Sequence, residues 1–178
     1  ETIRTTDLLP IDLNCLLYVT ESTLAKLYDA AGNVPEADQY QKKATNRKKV
    51  INQFMWSDSL GAYQDIIFET GKPTGRITAA SLAPLYFGLA DKDKADIQAK
   101  TLEKELLAPG GVLTTPIGSG QQWDAPNGWA PLQWRAIIGL EQYGHSELAS
   151  SIKKRWLSVN EKVYRNTGKM MEKYNVMD

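Results

Sequence analysis

The sequence predicts an all-α fold of consecutive helical hairpins, interrupted by one short β-hairpin. Two observations carry this. Through most of the chain, apolar residues recur at spacings of three and four, the period of a helix with one buried stripe. Between residues 58 and 73 that period gives way to a run rich in Tyr, Ile and Phe, bounded by turn residues. The 178 residues suit one core and are too few for two comfortable domains, so residues 1–178 read as a single unit.

The elements follow in order. Leu13, Leu16, Leu17, Thr20, Leu24, Leu27 and Ala31 describe one face of a helix that starts at Pro10 and Asp12 and ends near Gly32-Asn33. Ala37, Tyr40, Ala44, Ile51 and Phe54 form the stripe of a second helix, with Lys42, Lys43, Lys48 and Lys49 on its other face. Asp58-Ser-Leu-Gly61 and Gly71-Lys-Pro73 are the turns around the hairpin run Ala62–Phe68. Helical spacing resumes at Thr78, Ser81, Leu82, Leu85, Tyr86 and Leu89, where Pro84 is expected to kink or shorten the segment. Asp91 is placed to cap a helix whose stripe is Ala95, Ala99, Leu102 and Leu106. Residues 108–130 read as a long connection. Pro131 suits a first helical turn, and Leu132–Tyr143 is apolar nearly all round, which predicts burial. The last helix carries Leu148, Ile152, Trp156, Val159 and Val163 up to Gly168, with Lys169–Val176 extended.

These are six helices in three pairs, starting near residues 12, 77 and 131. Such pairs pack as a bundle or curve into an α/α toroid. Three pairs make about half of a closed (α/α)6 ring, and half a ring leaves its inner helices with an uncovered apolar side.

Composition removes several function classes. Lys plus Arg and Asp plus Glu are 21 each, so no electrostatic footprint for nucleic acid or an anionic membrane is expected and the lysine cluster reads as a solvated face. No apolar run approaches the roughly 20 residues of a membrane span. Cys15 is the single cysteine and His145 the single histidine. An internal disulfide is therefore impossible, and a zinc site built on several imidazoles is not expected. Neither residue sits in a motif that would make the two a nucleophile and base. Gly118-Ser-Gly120 lacks the strand and the third glycine of a phosphate loop. A start at Glu1 rather than Met, with no signal peptide, reads as a fragment or a processed chain.

A long loop inside a compact domain is usually functional or disordered, and Gln121–Pro131 does not have a disordered composition. It holds two indoles, three amides and a carboxylate, stiffened by Pro126 and Pro131. Indole faces stack on the C–H faces of a pyranose, while amides and carboxylates bind sugar hydroxyls. Trp123, flanked by Gln122 and Asp124, is the candidate sugar platform; the alternative is a loop whose tryptophans plug the core. Trp129 fits either reading. Asp124 is either a hydroxyl acceptor or a cap that holds the loop. Asp12 and Asn14 are helix caps or groups at a barrel mouth, Asp58, Gly61, Tyr63 and Asp65 shape the hairpin, and Trp56, Trp134 and Trp156 are expected in the core.

Gln122-Trp-Asp-x-Pro-x-Gly-Trp-Ala-Pro131 resembles the second signature of the trehalases of glycoside hydrolase family 37. Thr5-Thr-Asp-Leu-Leu-Pro-Ile-Asp-Leu-Asn14 is similar to the Pro-Val-Asp-Leu-Asn region of that family. Trp56-x-Asp-x-x-Gly-x-Tyr-x-Asp65 is similar to a hairpin of several α/α-barrel glycosidases, and Pro109-Gly-Gly111 and Glu172-Lys-Tyr174 also match. Asn175 stands where Asp is common. The resemblance spans essentially the whole chain. It implies the C-terminal half of a catalytic domain that cleaves α,α-trehalose with inversion and no metal or organic cofactor. It implies Glu172 as general base, with Gln122, Trp123 and Asp124 at the sugar. The partner acid is implied to lie in an upstream Gly-Trp-Asp segment. The first signature and a glycine-rich lid are also outside this chain, which on that reading needs its upstream half and is inactive alone. Two rivals stand beside this: another α/α-barrel glucosidase, and a non-catalytic helical scaffold for a protein partner.

Overall fold

The computed structural model describes residues 5–178. The helices are α1 (Ile11–Ala30), α2 (Val34–Phe54), α3 (Ala83–Tyr86), α4 (Lys92–Glu105), α5 (Ala130–Gln142) and α6 (Ser146–Thr167). α1 with α2 and α5 with α6 form the first and last hairpins the spacing predicts, and in the middle pair the one-turn α3 is followed by α4. The first helix of each hairpin packs on the first helix of the next, α1 on α3 and α3 on α5. That contact order lays the hairpins out as an arc, with these three helices as its inner layer.

Sequence explains the short middle element. Pro84 cannot donate to the preceding turn, so the segment is a 3-10 turn at Ala79–Leu82 followed by one α-turn. Leu82, Ala83, Leu85 and Leu89 are nevertheless fully buried, and α3 serves as a spacer between its neighbours. Close approach on the other side needs a glycine: a Cβ on Gly139 of α5 would stand 2.9 Å from the Tyr86 backbone nitrogen. Gly168 ends α6 in the left-handed region at φ 69°, a conformation glycine adopts without strain.

Three expectations need correction. On α1 the buried residues are Ile11, Cys15 and Ala25, whereas Leu13, Leu16, Leu17 and Leu27 are exposed. The small side lets α2 and α3 approach, so the leucine stripe is left as the uncovered side of the arc. Trp134, expected in the core, is 57% exposed; α5 buries Leu132, Gln133, Ala136, Ile137 and Leu140 and turns the indole away from them. Trp56 and Trp156 do pack against the core. Asp91 occupies the cap position of α4 but makes no capping bond; its carboxylate pairs with Lys94 at 3.3 Å. At the start of α1 Asp12 Oδ1 accepts the Leu13 amide at 2.8 Å, as a capping residue would, and Asp65 from the hairpin adds a second acceptor whose Oδ1 takes the Ile11 amide at 2.8 Å. Burial raises the Asp65 carboxyl above its ordinary value, partly offset by that amide.

The β-structure is richer than one hairpin. β1 (Leu8–Leu9) pairs with β4 (Ile66–Ile67), β2 (Trp56–Ser57) with β3 (Ala62–Tyr63), and β4 also with β5 (Lys72–Pro73). Gly61 sits at the β2–β3 turn with φ 60°, and a Cβ there would meet Ile97 and Thr101 at 2.8 Å. Tyr63 donates its hydroxyl to Asn52 Oδ1 at 2.5 Å and its amide to Gln98 Oε1 at 2.9 Å. The hairpin thereby fastens α2 to α4. Inside the predicted 108–130 connection the chain forms β6 (Leu107–Ala108), β7 (Gly111–Val112) and β8 (Asn127–Trp129), and β9 (Lys173–Asn175) follows α6. Among the described residues no helix is long and apolar enough to cross a membrane.

Candidate active site

The site grows from one side chain in the first turn of α5. Gln133 is fully buried, accepts the Val112 amide through Oε1 at 2.7 Å and donates Nε2 to the Val112 carbonyl at 2.7 Å. A primary amide thus stands in for a strand beside β7. Above it, Gly128 leaves no room for a side chain: a Cβ would lie 2.6 Å from Val176 Cγ1 and 2.9 Å from the Val112 carbonyl. This closeness seats the β8–β9 ladder, in which Asn127, Gly128 and Trp129 pair with Asn175, Tyr174 and Lys173. Tyr174 is buried and meets Trp156 edge-on with ring centroids 5.1 Å apart.

The ladder sets Trp129 and Lys173 side by side, next to Trp123 and Gln122. Trp123 lies flat on Trp129, with centroids 3.9 Å apart and planes 1° from parallel. Trp129 is buried and donates Nε1 to the Gln122 carbonyl at 3.0 Å. Trp123 is 52% exposed, so one indole face is covered and the other is open. Of the two readings of Trp129, the packed one describes its position. Gln122 is exposed, and its Oε1 accepts from the Lys173 ammonium at 3.1 Å. That ammonium also stands 5.5 Å from the Trp129 ring centroid.

Asp124 is turned into its own loop. Its Oδ2 accepts from the Ser119 amide (2.5 Å), the Ser119 hydroxyl (2.6 Å) and the Gln121 amide (3.2 Å). Its Oδ1 is buried and has no donor among the described residues. The carboxylate therefore acts as a cap, and Gly118-Ser-Gly120 wraps an acid of the chain itself. The Ser119 hydroxyl, followed by the backbone amides, lowers the Asp124 carboxyl below its ordinary value. A depressed folded pKa stabilises the loop above the unfolded value, and that contribution is lost as pH falls through the folded one. The stacked-indole signal in near-ultraviolet circular dichroism is accordingly expected to persist to pH below about 3.9 in the native chain, and to be weakened at neutral pH by Asp124→Asn. An unchanged signal in that variant would contradict the cap.

Glu172 directly precedes β9. The Met171 amide donates to the Tyr174 hydroxyl at 2.9 Å, which braces the turn that carries the carboxylate. The Glu172 side chain is exposed and makes no hydrogen bond or ion pair among the described residues. It is a carboxylate without a structural partner among the described residues, one position before the strand whose Lys173 pairs with Trp129. Sequence reasoning overlooked Lys173, Ser119 and Gln133. A signal existed only for Lys173, which sits inside the Glu-Lys-Tyr run. Cys15 is buried and its thiol is pushed well up by burial. His145 Nε2 is 2.9 Å from Asp96 Oδ1. The two do not form a nucleophile and base.

Helical hairpins in an arc, with a loop that stacks two indoles beside an amide at one rim, place the chain in the (α/α)6-toroid class. It overlays on neutral trehalase from Saccharomyces cerevisiae with a TM-score of 0.86 at 29% identity, covering 96% of this chain and 34% of that one. A GH63 mannosylglycerate hydrolase from Thermus thermophilus overlays with a TM-score of 0.77 at 18% identity, covering 96% and 40%, and shares the fold alone. A family model for trehalase matches residues 1–178, and the chain belongs to the trehalase family. It is 46% identical over 175 residues to a periplasmic trehalase of Salmonella newport, covering 98% of this chain and 31% of that protein. A periplasmic trehalase of Escherichia coli O8 is 45% identical over the same shares. The chain therefore spans about a third of the curated relatives it matches.

Proposed function

We propose that the protein carrying this chain hydrolyses α,α-trehalose to two glucose molecules with inversion. Glu172 is the general base, Trp123 and Gln122 contact the sugar, and Asp124 shapes the loop that presents them. One observation carries the reading: the β8–β9 ladder joins the strand after Glu172 to the Gln122–Trp129 loop. Membership of the trehalase family supports the substrate.

In this mechanism the Glu172 carboxylate takes a proton from water, and the water oxygen bonds to the anomeric carbon. The bond from that carbon to the bridging oxygen breaks. A carboxylic acid on the opposite ring face, outside this chain, protonates the bridging oxygen as it leaves. The two carboxyl groups need a separation of roughly 6.5–9.5 Å to admit the water. A base free of internal partners suits this task, because no ion pair must break before it accepts a proton. No metal or organic cofactor enters.

The test is the anomeric composition of fresh product from the full polypeptide. Inversion releases one α-glucose from the leaving side and one β-glucose from the attacked side. Proton NMR at early times is expected to show equal amounts before mutarotation. Only α-glucose would refute inversion, and no turnover of trehalose would refute the substrate. Trp123→Ala removes the open indole face and is expected to raise KM by roughly 30-fold, about 2 kcal/mol, as for other buried-on-binding tryptophans. An unchanged KM would remove Trp123 from the sugar site.

A further inference from the structure

We propose that Lys173 is a positioning residue that fixes which end of the Gln122 amide faces the sugar. This rests on the reading of Trp123 and Gln122 as sugar contacts and goes beyond it, because Lys173 is assigned to act through Gln122, whose Oε1 it holds.

The argument begins with donor chemistry. An ammonium has only donors, so the atom of Gln122 it holds at 3.1 Å is the carbonyl oxygen. That choice leaves the NH2 group of Gln122 for the outside. The amide is thus presented as a donor, suited to an acceptor oxygen of a pyranose hydroxyl or ring. Without Lys173 an exposed glutamine can flip its amide and sample several rotamers, and binding must then immobilise it.

The grip is built from both sides. The backbone of Gln122 is held by the Trp129 indole through its carbonyl at 3.0 Å. Its side chain is held by Lys173, the ladder partner of that same Trp129. The lysine stem is fixed by strand pairing, and its ammonium rests 5.5 Å from the indole centroid, an attraction that favours this rotamer over a solvated one. Lys173 therefore links three parts: the indole pair, the amide and the strand that follows Glu172. In the Glu-Lys-Tyr run each residue has its own duty. Glu172 is unpartnered, Lys173 grips the sugar loop, and Tyr174 anchors the strand against Trp156.

The experiment uses the full polypeptide and a double-mutant cycle on trehalose kinetics. Lys173→Met keeps the stem and removes the donor. It is expected to raise KM by about three- to tenfold, the range for freeing one rotamer-rich side chain, with kcat little changed. Lys173→Arg retains a donor and is expected to restore most of the loss. Gln122→Ala alone is expected to raise KM, and adding Lys173→Met to it should add nothing, since the lysine then has no amide to orient. Gln122→Glu keeps the lysine contact but loses the NH2 group, and it too is expected to raise KM. Additive effects of Lys173→Met and Gln122→Ala, or a KM unmoved by Lys173→Met, would overturn the proposal while leaving the trehalose reading intact. A fall in melting temperature with unchanged KM would likewise reduce Lys173 to a structural residue. Absence of trehalose turnover by the unaltered polypeptide would overturn both.

Discussion

Glu172→Gln in the full polypeptide is expected to lower kcat for trehalose by about 10³-fold, within the range lost with a general base. The substitution changes one oxygen to NH2 and preserves shape. Glu172 makes no internal hydrogen bond or ion pair among the described residues, so no structural contact is lost. Melting temperature and KM should therefore stay close to those of the unaltered protein. Full turnover by Glu172→Gln would show that the proton is taken elsewhere. Collapse of the fold together with activity would instead reveal a structural duty at a position where none is visible.

Gln133→Leu is expected to destabilise the protein by about 3 kcal/mol or more. It strands two buried groups, the amide and the carbonyl of Val112, each an unmet hydrogen bond of about 1–3 kcal/mol. The two glycines lining Gln133 sharpen the effect. A Cβ on Gly111 would lie 2.6 Å from Gln133 Oε1, and one on Gly128 would lie 3.0 Å from its Nε2. Leucine, with its branched end, does not fit a slot shaped for a flat amide, and the β8–β9 ladder above it should loosen. Denaturant unfolding measures the loss. The kinetic signature is a rise in KM alongside the fall in stability, because Trp123 and Lys173 ride on that ladder. A Gln133→Leu protein with an unchanged denaturant midpoint would show that Val112 finds other partners.

The hairpins were legible because their signal is local. Ala95, Ala99, Leu102 and Leu106 are all buried, as their spacing requires. Gly168 and Pro84 act within one turn of their own positions, so their effects on α6 and α3 could be anticipated. The α1 stripe misled because periodicity identifies a coherent face without saying whether anything covers it. Leu13, Leu16 and Leu17 are on one face, and that face is exposed. The two-residue strands were missed in the 108–130 region because such short pairings have no period. β8 exists only because β9, beyond a whole helical hairpin, comes back to meet it.

The candidate site divides in the same way. Gln122-Trp-Asp124 and Glu172 were legible as a resemblance to a family motif, since rare residues at fixed spacing stand out in one dimension. Their roles were not. Asp124 as an inward cap, Trp129 as the covered half of a stacked pair and Lys173 as the grip on Gln122 are all choices among neighbours.

By itself the order of residues determined the helices and the family, because each rests on patterns within a few turns of chain or on a contiguous motif, and the ring-type architecture came with the family resemblance. Only the tertiary structure decided that Asp65 reaches the start of α1, that Gln133 completes β7 and that Lys173 reaches Gln122. Those contacts join groups far apart along the polypeptide. A hydrogen bond is satisfied by distance and angle, whatever the number of residues between its partners.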